Sequence, residues 1–177
     1  GTAQTPETQT VHGRPETIMT QPSAHAMTQT RIQAMTQEDL DEVLAIEEAS
    51  YSLPWKRSMF ETELRNPFAR PAALREGTDK AIRGYVCFWL VFDELHIMNL
   101  TVRPDSRRRG IGERLSKWML ARGKEAGARL ATLEARASNA AAIQLYEKLG
   151  FRRSAVRAGY YREPREDAMI MELTEWP

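Results

Sequence analysis

The sequence predicts an α+β domain, a mixed and mostly antiparallel central sheet of about seven strands flanked by four helices. Three observations lead there. Apolar residues recur with helical period in four segments and with strand character in the others. The strand-like segments include several joined by short polar breaks that suit hairpins. The order of elements, β-α-α-β-β-β-α-β-α-β-β, gives seven strands and four helices with no internal repeat.

Arg31–Met35 alternates weakly and suits a short first strand. Thr36 is a good N-cap, followed by Gln37, Glu38 and Asp39 at the positive end of a helix. Leu40, Val43 and Leu44 supply that helix's apolar stripe, and Leu53-Pro54-Trp55 breaks it. A second helix carries Phe60 and Leu64 on one face and stops at Asn66-Pro67. Pro71–Arg75, Gly84–Phe92 and Glu94–Val102 read as strands, with turns at Gly77-Thr78-Asp79 and Asp93-Glu94. Gly84–Phe92 is almost wholly apolar and so is expected at the centre, covered on both faces. Ile111, Leu115, Trp118 and Met119 give a third, amphipathic helix that ends near Gly127. Leu130–Ala135 is a short strand. Asn139–Leu149 is a fourth helix with Ile143, Tyr146 and Leu149 on one side and Gly150 closing it. Phe151–Ala158 and Asp167–Leu173 are the last strands, joined by a loop around Tyr161–Arg165.

Residues 1–30 differ from the rest. They hold eight Thr, four Gln and three Pro but only three charged residues and no aromatic. Such a stretch buries too little apolar area to offset its ordering entropy. It reads as a flexible low-complexity tail, with vector origin one reading of part of it, and Met19 and Met27 both qualify as native starts. The remaining residues, 31–177, read as one domain. The whole chain of 177 residues is 42% hydrophobic and 28% charged, with net charge +1. That balance suits a soluble globule and gives no bulk attraction to nucleic acid. A single cysteine, Cys87, excludes an internal disulfide framework and a cysteine-based zinc site, and mid-strand among aromatics it reads as inert core. No apolar run is long enough to span a membrane, and the N-terminus lacks a secretory core. A cytoplasmic location with no membrane partner is therefore expected, and no metal site is assigned. His96 alternates with Ile97 on a strand, has no evident partner and is given no role.

The turn Arg107-Arg108-Arg109-Gly110-Ile111-Gly112, with Glu113 after it, lies between a strand and a helix N-terminus. Glycines there let the backbone approach a ligand, and free N–H groups of the first helical turn favour an anion. Arg103 and Arg114 bring the local cations to five, and a pyrophosphate fits. A nucleotide P-loop is excluded because its lysine is missing, and a dinucleotide fingerprint because Leu115 stands where the third glycine belongs. A solvated basic loop that merely caps the helix is the plain alternative. Nucleic-acid phosphates are another, without the interleaved aromatics that would support it.

This Arg-x-x-Gly-x-Gly turn resembles the acetyl-CoA signature of the GNAT acetyltransferase superfamily. The run from Leu133-Glu134-Ala135-Arg136 through Asn139 and Tyr146 to Gly150-Phe151, the segment Tyr160-Tyr161 with Glu166–Met171, and Pro54-Trp55 resemble its RimI-type branch, the bacterial ribosomal-protein alanine N-terminal acetyltransferases. The likeness covers roughly residues 31–173. It implies the GNAT fold and acetyl transfer from acetyl-CoA, without metal, to the α-amine of a protein, a ribosomal protein beginning with alanine being the best substrate. It implies no direct nucleic-acid partner. Two positions depart from the branch: Arg162 stands where proline is frequent, and Glu113 puts a carboxylate beside the phosphates.

The resemblance also assigns roles. Glu134 would be the general base, at the end of a strand that splays from the one ending at Val102, the thioester lying between them. Tyr146 would protonate the departing sulfur. Leu100, Thr101 and Val102 would pair through their backbone with the pantetheine arm, Arg107, Arg108, Arg109, Gly110, Ile111, Gly112 and Glu113 would surround the phosphates, and Asn139 would touch the cofactor as well as cap its helix. Trp55, Tyr160 and Tyr161 would frame the peptide entrance. Each has a plainer reading: Glu134 as a surface partner of Arg136, Tyr146 as core, Trp55 as a staple between two helices. Acetylation of lysine or a small amine, and a non-catalytic acyl-CoA sensor or RNA-binding adaptor, remain the rival functions.

Overall fold

A computed structural model describes residues 30–177. The tail reading of residues 1–30 lies, all but Thr30, outside the described residues. β1 (Arg31–Ala34) leads through a 3-10 turn (Gln37–Asp39) into α1 (Leu40–Ser50) and α2 (Arg57–Arg65). β2 (Ala72–Arg75), β3 (Ile82–Val91) and β4 (Glu94–Val102) follow, then α3 (Ile111–Glu125), β5 (Leu130–Arg136), α4 (Ala140–Lys148), β6 (Arg152–Arg162) and β7 (Arg165–Leu173). The strands form one sheet in the order β1-β2-β3-β4-β5-β7-β6. Every pair is antiparallel except β4–β5, which the α3 crossover makes parallel. The element order and the mixed sheet agree with the sequence reading.

The central position of β3 follows from its composition. Val86 and Phe88 pack with Leu115 and Met119 of α3, while Tyr85 and Cys87 pack with Val43 of α1 and Phe60 of α2. These side chains are fully buried, so neither face tolerates a polar residue without a partner. Burial also raises the Cys87 thiol far above its ordinary range, in keeping with inert core.

β3 begins at Ile82 instead of Gly84 and β5 runs on to Arg136, and three further differences have local causes. The first helix opens with the 3-10 turn, in which the Thr36 N–H donates to the Asp39 carboxylate at 2.9 Å. β3 ends at Val91, because Phe92 has a φ of 53° and stands out in solvent as a turn residue. The loop expected around Tyr161–Arg165 is a tight hairpin, with Tyr161 opposite Glu166 and Arg162 opposite Arg165. Tyr160 and Tyr161 both lie on β6, Tyr161 in register with β7 and Tyr160 in the irregular stretch just before it. His96 is not without a partner: its Nε2 lies 2.7 Å from Glu94 Oε2.

Candidate active site

Parallel pairing of β4 with β5 runs from Glu94↔Leu130 to Ile97↔Leu133 and stops. Beyond it, Glu134, Ala135 and Arg136 pair only with β7, and Asn99 to Val102 pair only with β3. A bulge causes the divergence. Cys87 lies opposite Asn99 and Phe88 opposite Ile97, so Met98 is an extra residue that bends β4 away. The strands open into a cleft of about 400 Å³. The backbone edge of Leu100, Thr101 and Val102 facing β5 is left without a strand partner, as an extended ligand would require.

Glu134, Tyr146, Asn139, Trp55, Tyr160 and Tyr161 all line this cleft, as does Leu100. Tyr146 comes from the buried face of α4, its ring edge-on to Phe151 at 5.3 Å. Burial pushes its phenol well above the ordinary range, which keeps the hydroxyl protonated. It is thus both core and cleft wall. Trp55 similarly serves both readings, packing on Phe60 at 5.2 Å while lining the cleft. Asn139 caps α4, its Oδ1 accepting from the Ala142 N–H at 3.2 Å. Tyr160 meets Tyr161 edge-on at 5.2 Å, and the Arg136 guanidinium lies over the Tyr161 ring at 4.1 Å.

Glu134 is not paired with Arg136. That arginine goes to Glu166 at 3.4 Å, while Arg157 Nη1 lies 2.5 Å from Glu134 Oε1. The Glu134 carboxylate also raises the Tyr160 phenol, through hydrogen bonding first and then, after burial, through its charge.

Thr101, Val102 and the turn from Arg107 to Glu113 do not line this cleft; the turn lies beyond its Leu100 side, where Gly110 caps α3 with a φ of 74°. The N–H groups of Gly110, Ile111, Gly112 and Glu113 find no backbone carbonyl among the described residues. A side chain at Gly112 would begin 3.3 Å from Leu145 Cδ2 and 3.6 Å from Val102 Cγ2, so the glycine keeps the backbone bare between two apolar walls. Open donors, a helix N-terminus and an unpaired strand edge fit a pantetheine pyrophosphate.

The arginines there are less free than their number suggests. Arg109 lies 2.7 Å and Arg114 3.1 Å from the Glu76 carboxylate. Burial alone would raise Glu76, but Arg114, by hydrogen bond and charge, and the Arg109 charge outweigh it and hold the carboxyl below its ordinary range. Arg103 pairs with Asp105, and Arg107 donates to the Val102 carbonyl and the Ser50 hydroxyl. Arg108, exposed in the left-handed region at φ 62°, has no hydrogen bond or ion pair among the described residues. Glu113 is neutralised by Lys117 at 2.7 Å and Lys148 at 2.6 Å, whose hydrogen bonds depress its carboxyl to about 2. The repulsion expected of it toward phosphates is correspondingly reduced.

The model of the acetyltransferase (GNAT) family matches residues 40–151. The chain belongs to the GNAT acetyltransferase family. A Bacillus subtilis relative is 36% identical over 83% of this chain and 97% of its own length. The ribosomal protein bS18-alanine N-acetyltransferase of Salmonella typhimurium is 35% identical over 80% of this chain and 95% of its own. The crystal structure of the corresponding Escherichia coli enzyme superposes with a TM-score of 0.77 at 32% identity, covering 84% of this chain and 96% of that one. Ard1 from Thermoplasma volcanium shares the fold at a TM-score of 0.75 and 21% identity.

Three polar residues of this GNAT cleft escaped the sequence reading. Glu47 of α1 is 1% exposed. It accepts from the Trp55 N–H at 2.9 Å, from the Asn99 amide at 3.2 Å and from the Tyr85 hydroxyl. Burial, then the Glu47 charge, pushes the Tyr85 phenol far up, so it donates as a neutral hydroxyl. Asn99 accepts from the Thr101 hydroxyl at 2.9 Å, and that oxygen lies 3.0 Å from the Tyr51 hydroxyl. The network ties the α1–α2 connection to the bulged part of β4. One signal was available: Glu47 lies four residues after Val43 and seven after Leu40, inside the apolar stripe of α1.

Proposed function

We propose that the protein transfers the acetyl group of acetyl-CoA to the N-terminal α-amine of a ribosomal protein that begins with alanine. The observation that carries this is 33–36% identity over nearly the full length of bS18-alanine N-acetyltransferases and their Bacillus relative. Support comes from Glu134 and Tyr146 lining one cleft where β4 and β5 part.

Acetyl-CoA, when bound, supplies a thioester carbonyl open to attack by an amine. The α3 N-terminus and Arg108 hold its phosphates, and the β4 edge at Leu100, Thr101 and Val102 hydrogen-bonds its pantetheine arm. Glu134 takes the proton of the incoming amine, directly or through a water. The buried Tyr146 hydroxyl returns a proton to the leaving sulfur. Trp55, Tyr160 and Tyr161 direct the peptide N-terminus toward Glu134. An α-amine titrates near ~8 and a lysine near ~10.4, so a lysine costs about 3 kcal/mol more to deprotonate at neutral pH. That difference favours the N-terminal substrate.

The test is steady-state turnover on short peptides that differ at residue one, beside an N-blocked peptide with an internal lysine. Peptides beginning with Ala or Ser are expected to exceed the blocked lysine peptide by at least about tenfold in kcat/KM. Comparable rates would leave lysine acetylation as the better reading.

A further inference from the structure

The two walls of the cleft are held by different means. On the β4 side, Asn99 to Val102 are paired residue by residue with β3. On the other side, residues 51–56 join α1 to α2 and form no helix or strand, yet they bring Tyr51 and Trp55 to the cleft. From residue 52 to residue 56, the Trp55 N–H is the one main-chain donor with a hydrogen bond among the described residues, and its acceptor is Glu47 Oε1 at 2.9 Å. The other carboxylate oxygen, Oε2, accepts from the Asn99 amide of β4 at 3.2 Å and from the Tyr85 hydroxyl of β3. Tyr51 returns to the same carboxylate by a longer route. The Thr101 hydroxyl donates to Asn99 Oδ1, so the Tyr51 hydroxyl, 3.0 Å from it, is the donor of that pair.

Three donors converge on Glu47, and only an ionised carboxylate accepts all three without presenting a proton to any of them. A charge so fully buried is a poor device for stability, since an apolar side chain of similar volume commonly does as well or better. What the carboxylate supplies is direction: it ties the main chain of Trp55 to two strands of the sheet at once. We propose that Glu47 is a positioning residue for the acceptor peptide: its carboxylate fixes the Trp55 connection against β3 and β4, and so sets the entrance through which the peptide N-terminus reaches Glu134. This rests on the N-terminal acetylation reading above. The ladder of β4 on β3 and the N-terminus of α3 stand without Glu47, so the acetyl-CoA contacts assigned to them are independent of it. Loss of the Glu47 carboxylate therefore acts on the peptide and spares the cofactor.

The experiment measures kcat and the KM of each substrate, with an Ala-starting peptide as acceptor, in wild type, Glu47→Ala, Glu47→Gln and Tyr85→Phe, well below the melting temperature of every variant. Glu47→Ala is expected to raise the peptide KM at least about fivefold, as for one lost hydrogen bond, and to leave the acetyl-CoA KM within about twofold. Glu47→Gln keeps an oxygen for the Trp55 N–H and is expected to recover most of the peptide KM. Tyr85→Phe removes a donor from the same carboxylate but leaves the Trp55 bond, so it should lower the melting temperature without moving the peptide KM. An unchanged peptide KM in Glu47→Ala, a matching rise for acetyl-CoA, or an equal rise in Tyr85→Phe overturns the proposal, as does a Glu47→Gln variant no better than Glu47→Ala. Should Glu47→Ala fail to fold, amide hydrogen exchange of wild type is read instead. The Trp55 N–H should exchange at least about tenfold more slowly than those of Ser52 and Leu53, and equal rates overturn the proposal. A wild type that leaves Ala-starting peptides unmodified overturns the N-terminal reading and the Glu47 role together. An active wild type with an unaltered Glu47→Ala removes the Glu47 role alone.

Discussion

At the N-terminus of α3, two arginines of the turn region are occupied by the almost buried Glu76, and Glu113 is held by two lysines. What remains for an anion is mainly backbone N–H groups and Arg108. At the β6 end, charges from three strands converge around Glu134, with Arg157 on the Glu134 carboxylate and Arg136 on Glu166. Formal charge near a site is thus a poor guide to the charge a ligand encounters. At one end compensation within the protein leaves mainly backbone donors unpaired, and at the other a cross-strand ion pair occupies the carboxylate.

The largest effect expected lies at the β6 end. Glu134→Gln should lower kcat by about 10²–10⁴ while acetyl-CoA binding, measured by calorimetry, stays within a small factor of wild type. Tyr146→Phe should fall toward the lower limit of that range with little change in melting temperature, since only a hydroxyl is removed. Full activity in the glutamine variant would remove Glu134 as the base. A Tyr146→Phe variant that loses stability but keeps its rate would make that tyrosine core alone.

An intermediate effect separates two adjacent arginines. Arg108→Ala should raise the KM for acetyl-CoA by up to about fivefold, less at high salt, as expected for an exposed charge contact of at most ~1 kcal/mol. Arg109→Ala should act chiefly on stability, by less than about 1 kcal/mol, because Arg109 is half exposed and Arg114 still holds Glu76. The contrast fails if Arg109→Ala shifts the cofactor KM as much as Arg108→Ala does.

The smallest effect is a pH dependence. The Glu113 carboxyl is lowered in the folded protein to about 2 by the hydrogen bonds of Lys117 and Lys148. A depressed carboxyl contributes stability that is fully present above its ordinary value near ~4.5 and is lost as pH falls toward about 2. Melting temperatures through that window should decline, and Lys148→Ala should flatten the decline. An identical acid profile in the variant would show that the pair contributes nothing measurable.

Much of this molecule was determined by local sequence alone. The apolar run of β3, the heptad-like spacing from Ile111 to Met119 and the cap at Asn139 each act within a few residues, so periodicity and capping were enough to place them. The Arg-x-x-Gly-x-Gly turn was legible for the same reason, since its chemistry resides in one stretch of backbone. Glu134 and Tyr146 became candidates through family likeness, because a glutamate on a strand and a tyrosine on an apolar helix face have ordinary explanations. The tertiary structure decided the rest. Glu47 gathers Trp55, Tyr85 and Asn99 from distant positions. Met98 bends β4 only by its register against β3. Arg157 meets Glu134 because β7 inserts between β5 and β6, placing residues 23 apart in sequence on one face. Pairing register and strand order are set by long-range packing that no short window of sequence contains. The partner of each charge was settled only when the sheet closed.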